Sequence, residues 1–96
     1  MTRPLFDAYI QSDGVTLDES DVDLLRAVDR SGSLNAAATE LGRSYAHAQR
    51  RVVELEEAFG ALVERQRGGS GGGGSSLTDA ATDLLAAFER TRTGFE

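Results

Sequence analysis

A mainly α-helical fold with small β-hairpins (α+β) is predicted by three observations. Gly32 to Phe59 holds two helix-compatible segments, each opened by a serine and separated by Gly42. A Gly/Ser run from Gly68 to Ser76 lies between the strand-like Val63-Glu64-Arg65-Gln66-Arg67 and an apolar pattern that resumes at Leu77. The last stretch places Leu77, Ala81, Leu84, Leu85 and Phe88 at i, i+4, i+7, i+8 and i+11, one broad apolar stripe. These parts assemble as a winged helix-turn-helix with a C-terminal amphipathic dimerisation helix.

Each element has its own local warrant. Leu5 to Gln11 partly alternates, and Ser12-Asp13-Gly14 makes a turn from which Val15-Thr16-Leu17 returns as a second strand. Residues 1–17 are therefore expected to form an N-terminal hairpin or arm. Asp18 to Ser31 is expected to be helical, capped by Asp18 or Ser20, favoured by an acidic first turn and ended by Gly32. Its stripe is Val22, Leu24, Leu25 and Val28, with Ala27 nearby. Ser33 caps a short Ala-rich helix over Leu34–Leu41, and Gly42 turns the chain because it enters positive φ without a Cβ clash. Ser44 then caps a longer helix to about Phe59.

That longer helix has two faces. Ala48, Val52, Leu55 and Phe59 follow i, i+4, i+7, i+11 and are expected in the core. Ala46, Gln49, Arg50 and Val53 point away from them. Gly60 breaks the helix, Leu62 to Arg67 reads as a strand, the Gly-rich run forms the wing loop, and Leu77 lies on the short return. Thr78 caps a last helix from about Asp79 to Thr91. Its stripe needs cover, and a second copy of the chain in a C2 dimer is the expected partner. The division is thus 1–17 arm, 18–77 winged helix-turn-helix, and 78–96 dimerisation helix.

Composition narrows the function. Ninety-six residues make one small domain. Cysteine is absent, which removes disulfides, thiolate zinc sites and thiol catalysis together. One histidine cannot build a histidine-rich metal site, and no nucleophile stands with a plausible base. No cofactor, no metal and no enzymatic activity are expected. No run approaches the roughly 20 apolar residues a membrane span needs, and no charged-then-apolar leader opens the chain. A soluble, cytoplasmic chain with no membrane partner is the expectation.

Charge is distributed unevenly. The net charge is −6, with 16 acids against 10 basic residues, all of them arginine. A whole-chain reading predicts repulsion from phosphate. Yet Arg43 to Val53 contains three arginines and no acid, while Asp18, Glu19, Asp21, Asp23 and Asp29 crowd upstream. The second helix of a helix-turn-helix usually enters the DNA major groove, and this local reversal of sign suits that role.

Gly32 to Leu85 (GSLNAAATELGRSYAHAQRRVVELEEAFGALVERQRGGSGGGGSSLTDAATDLL) resembles the N-terminal DNA-binding domain of the ModE family of molybdate-responsive regulators, and more broadly the LysR-type winged helix. The match covers about residues 20–90. The AAA-x-x-L-G-x-S run with a later LEE-x-x-G is common to LysR-like domains. Ser44-Tyr45, Val63-Glu64-Arg65 and the glycine run ahead of Leu77-Thr78 are closer to ModE. The resemblance implies DNA binding and dimerisation. It does not carry over molybdate sensing, since no molybdate-binding domain is expected in this chain. ModE-like wings often hold a lysine inside the glycine run; Ser70 stands here instead, removing one phosphate contact.

The expected DNA contacts are Arg43, Ser44, Tyr45, Ala46, Gln49, Arg50, Arg51, Arg65, Arg67, Gly69, Ser70 and Gly71. Arg50 suits guanine, Gln49 adenine and Ala46 a thymine methyl, while Arg43 and Arg51 sit nearer phosphates. The bland alternative is a solvated helix face. His47 is read as solvent-exposed and left out, and Glu56-Glu57 as a hydrated face. The Gly/Ser run has the composition of a flexible linker, but its place between strand and helix is where the resembling family puts its wing. It lacks G-x-x-x-x-G-K-[ST], so nucleotide binding is not expected. Leu77, Ala81, Leu84, Leu85 and Phe88 are the expected dimer contacts.

The expected function is a homodimeric, sequence-specific regulator that binds double-stranded DNA. The alternative is an effector-less interaction module that pairs with another regulator or titrates it. An acidic, lysine-free surface also suits a salt-rich cytoplasm: stability and solubility should rise between low and molar salt, and unchanged values would reject that reading.

Overall fold

A computed structural model describes residues 10–12, 14–66 and 74–93. Among them the order is β1 (Ile10–Ser12), β2 (Val15–Leu17), α1 (Glu19–Ser31), α2 (Leu34–Glu40), α3 (Tyr45–Phe59), β3 (Val63–Gln66), β4 (Gly74–Leu77) and α4 (Asp79–Thr93). The helices pack around one apolar core, and two antiparallel hairpins flank it. This is the mainly helical, winged helix-turn-helix architecture that the sequence predicts.

The caps explain where the helices start and stop. Asp18 Oδ1 accepts from the Asp21 amide at 3.1 Å, and Asp21 Oδ2 accepts from the Asp18 amide at 3.1 Å. This reciprocal box satisfies two donors left open at the start of α1. Ser33 and Ser44 cap α2 and α3 through their Oγ atoms, accepting from the amides of Ala36 and His47. Between these helices Gly42 has φ +73°, its amide donates to Thr39, and the Arg43 amide donates to Ala38. That pair of bonds is a Schellman closure, and its left-handed residue explains the glycine.

The core follows the predicted stripes. Val22, Leu24, Leu25, Ala27 and Val28 of α1 are buried against Ala37, Ala38, Ala48, Val52 and Leu55. Leu17, Leu62, Val63, Ala81 and Phe88 complete the cluster, with Phe59 half-buried beside it. The first hairpin pairs Ile10 with Leu17, Gln11 with Thr16 and Ser12 with Val15. It is fastened to α3 by Ser12 Oγ, which donates to the Ala58 carbonyl at 3.2 Å. Residues 1–9, which held most of the predicted first strand, lie outside the described residues.

The second hairpin differs from expectation at one point. Gly74, Ser75 and Ser76 are strand rather than loop, pairing with Gln66, Arg65 and Glu64. Tertiary bonding overrides their weak strand propensity. The Ser75 amide donates to the Gly32 carbonyl at 2.7 Å, joining the returning strand to the end of α1. A Cβ at residue 74 would stand 2.9 Å from that same carbonyl, so only glycine allows the approach. At the base, Glu56 Oε2 accepts from the amides of Leu62 and Val63 at 2.9 and 3.1 Å, linking α3 to the start of β3. Thr78 Oγ1 accepts from the Ala81 amide and donates to the Ala61 carbonyl, so the cap of α4 is also a tie to this base.

One buried charge binds β2, α1 and α3 together. Asp21 is 2 % exposed. Arg51 Nε and Nη2 donate to its two oxygens at 2.8 Å each, Nη2 also donates to the Thr16 carbonyl at 2.8 Å, and Nη1 reaches Glu54 at 3.0 Å. Burial by itself would raise the Asp21 carboxyl, but the bonds from Arg51 and Asp18, with the charge of Arg51, hold it below the ordinary carboxylate range. The bond to Asp21 raises the Arg51 guanidinium against a smaller desolvation effect.

A depressed carboxyl contributes stability above its unfolded pKa, about 3.9, and loses it as pH falls through the folded value. Asp21→Asn should cost about 3 kcal/mol at neutral pH, the low end for broken buried pairs because Arg51 keeps some exposure. The gap between the two proteins, followed by urea unfolding, should narrow below about pH 4. A gap independent of pH would show that the charge contributes nothing.

Candidate nucleic-acid interface

The N-terminal half of α3 is buried on one side and open to solvent on the other. The Ser44 cap and the Gly42 turn set its start, and Ala48 and Val52 fix which side faces inward. The opposite side exposes Ala46, His47 and Arg50, with Tyr45 at 42 % and Val53 at 43 % exposure. Further along, Glu54 and Glu57 are exposed, so the basic character is confined to the first turns.

The arginines separate into three kinds. Arg50 is exposed and makes no hydrogen bond or ion pair with the described residues. Arg51, expected near phosphate, is committed inward to Asp21, Thr16 and Glu54. Its place beside the core stripe explains this, since Ala48 three residues before it and Leu55 four residues after it are both buried. Arg43 is half-buried and reaches back to α1, donating to the Ser20 carbonyl at 3.2 Å and Oγ at 2.7 Å.

Arg65, on the wing strand, joins α3. Its Nη1 donates to Tyr45 Oη at 3.1 Å and its Nη2 to Gln49 Oε1, while Tyr45 Oη donates to the same oxygen at 3.2 Å. Three residues predicted to share one surface therefore form a closed triangle between helix and wing. Arg67, Gly69, Ser70 and Gly71 lie outside the described residues. An open cleft of about 240 Å³ separates the start of α2 from the wing, lined by Ser33, Asn35, Tyr45, Arg65 and Ser75 among others. Asn35 was missed in the sequence reading, and only its nearness to the Ser33 cap hinted at it.

The predicted dimer stripe divides similarly. Ala81 and Phe88 are buried within the protomer's own core, and Glu89 of α4 pairs with Arg26 of α1. Leu77, Leu84 and Leu85 pack against the core but remain partly exposed. Among the described residues no cluster of His, Cys, Asp or Glu is arranged to hold a metal ion, and no helix is long and apolar enough to cross a membrane.

The two adjacent arginines should behave oppositely in unfolding measurements. Arg51→Ala leaves Asp21 buried without its cation and should cost about 3 kcal/mol. Arg50→Ala should stay within about 0.5 kcal/mol of the parent. Equal effects would contradict the division.

Comparison with known proteins identifies the lineage. The model of the bacterial regulatory helix-turn-helix protein, lysR family, matches residues 20–82. The molybdenum transport protein ModE of Herbaspirillum seropedicae is 42 % identical over 73 residues, covering 75 % of this chain and 27 % of the relative. The molybdenum-pterin-binding protein MopB of Rhodobacter capsulatus is 36 % identical over 86 residues, covering 88 % of this chain and 32 % of the relative. The DNA-binding transcriptional dual regulator ModE of Escherichia coli K12 is 34 % identical over 73 residues, covering 75 % of this chain and 28 % of the relative. The chain thus spans about a third or less of the length of these relatives. With four helices, a hairpin wing and a family match across most of its length, the chain belongs to the bacterial regulatory helix-turn-helix proteins of the lysR family, and its helix-turn-helix domain is ModE-like.

Proposed function

We propose that this chain is a DNA-binding transcription regulator that acts as a homodimer, with the helix at 44–59 in the major groove and the Gly-rich wing at 68–76 on the backbone or in the minor groove. The observation that carries the reading is the outward face of α3. Ala46, Arg50 and Val53 lie on one exposed ridge, and Arg50 is spent on nothing else among the described residues. An Arg beside the Ala46 methyl and the Val53 side chain on an exposed helix face matches guanine edges and thymine methyls. One relative's name includes DNA-binding transcriptional regulation, which supports the same role here.

Within this reading the contacts have different duties. Ala46, Gln49 and Arg50 meet bases, with Ser44 and Tyr45 at the groove edge. Arg65, Arg67 and the glycine amides of Gly69 and Gly71, with Ser70, approach phosphates. Arg51 is reassigned to holding α3 in place, and Arg43 to bracing the turn against α1. Dimerisation is carried by the outward parts of Leu77, Leu84 and Leu85, with Ala81 and Phe88 supporting α4 from inside. Paired α4 helices would set half-sites one or more DNA turns apart on a near-palindromic site.

The test is binding of the purified chain to duplexes from its own upstream region, titrated over salt beside random DNA of equal length. Preference for one duplex at two chains per site is expected. Arg50→Ala should weaken that duplex by about 1–3 kcal/mol while changing random DNA much less. Indifference to DNA at every salt concentration would reject the reading in favour of a protein-interaction module, which the acidic total charge would then suit.

A further inference from the structure

The triangle of Tyr45, Gln49 and Arg65 determines which half of the Gln49 carboxamide is available. A guanidinium has donors and no acceptor, so the Gln49 atom it meets is the oxygen. That fixes the orientation of the amide by chemistry. Tyr45 Oη donates to the same oxygen, and a carbonyl oxygen has two lone pairs. Both are occupied. Gln49 Nε2 carries two N–H groups and donates to no protein group among the described residues.

We infer that Arg65 and Tyr45 make Gln49 a donor-only reader, selective for guanine. The inference rests on the reading that α3 enters the major groove. There guanine presents two acceptors, N7 and O6, which the two N–H groups of Gln49 match. Adenine presents N7 beside a donating N6 amino group, and the usual glutamine–adenine pair needs the amide oxygen to accept from it. With that oxygen capped, the N6 donor faces N–H groups and goes unpaired. The adenine preference expected from Gln49 alone is therefore reversed by a residue on the wing. Arg65 is a positioning residue in this scheme: it sets base choice through Gln49 without touching the base.

The experiment is selection from a randomised duplex library with the 96-residue chain, its Gln49→Ala variant, Tyr45→Phe and Arg65→Met. Gln49→Ala marks the base position that Gln49 reads, as the one whose preference it erases. That position should be guanine in the parent. In Arg65→Met a lone pair is freed, and the guanine-over-adenine preference should fall roughly tenfold there, in line with the discrimination of one bidentate contact. The lost charge lowers affinity for all sequences alike, so it cannot imitate a change at one position. Tyr45→Phe frees the other lone pair without altering charge and should move the same position in the same direction.

Adenine at the marked position in the parent, or a guanine preference unchanged in both lock variants, would overturn the inference while leaving DNA binding intact. A Gln49→Ala variant that erases no position would do the same. No enriched sequence with the parent chain, even at low salt, would instead remove the groove reading itself and this inference with it.

Discussion

The rest of the molecule depends on one buried pair, Asp21 with Arg51. A carboxylate at 2 % exposure is tolerable only if its lone pairs are met, and Arg51 meets both oxygens while the Asp18 amide adds a third donor. The same guanidinium takes the Thr16 carbonyl. The consecutive elements β2 and α1 are thus joined through one charge to α3, some 30 residues further along. Together with the buried Ala48, Val52 and Leu55, the pair fixes the roll of α3 about its own axis. With Arg51 turned inward, Arg50 and Ala46 are left on the outside. The stability of the fold and the aim of the candidate interface are therefore one constraint.

Glycines and short polar caps set the remaining geometry. Gly42 permits a tight reversal that brings α2 and α3 together, and Gly74 permits β4 to lie against the end of α1. The wing strands are then held at both ends, by Glu56 at the base and by the Ser75–Gly32 bond near the loop. Arg65 closes the remaining gap to α3. A wing that is bonded to the helix it flanks can influence what that helix recognises, which a freely hinged loop cannot. Net charge, −6 overall, says little about this surface, because most of the acids lie on α1, α4 and the far half of α3, while Glu64 stands on the wing strand beside Arg65.

Much of the fold was legible in the sequence because its signals are local. Asp18, Ser33 and Ser44 cap the helices they precede, Gly32, Gly42 and Gly60 follow the ends expected of them, and Val22, Val28, Val52 and Leu55 are buried as their spacing requires. What was not legible depends on partners far along the chain. Gly74-Ser75-Ser76 has the composition of a loop and becomes strand through bonds to Gln66, Arg65, Glu64 and Gly32. Spacing separates Arg50, facing outward, from Arg51, expected beside phosphate, but only the distant Asp21 turns Arg51 inward. Ala81 and Phe88 lie on a stripe that needs burial, but periodicity does not say whether the cover comes from the same protomer or another copy. The helix face and the wing strand follow from local patterns, while the Tyr45–Gln49–Arg65 triangle depends on a contact between α3 and β3 that no local pattern encodes.

The central claim is that the outward face of α3, aimed by Arg51 and flanked by the wing, is where a duplex sits. The most direct measurement is an amide NMR titration of the isotope-labelled chain with the preferred duplex. The account predicts shifts gathered on Ser44 to Val53 and on the wing strands around Arg65 and Ser75, with Asp79 to Thr91 little changed. Shifts gathered on α4 or on the first hairpin, with the α3 face silent, would contradict it.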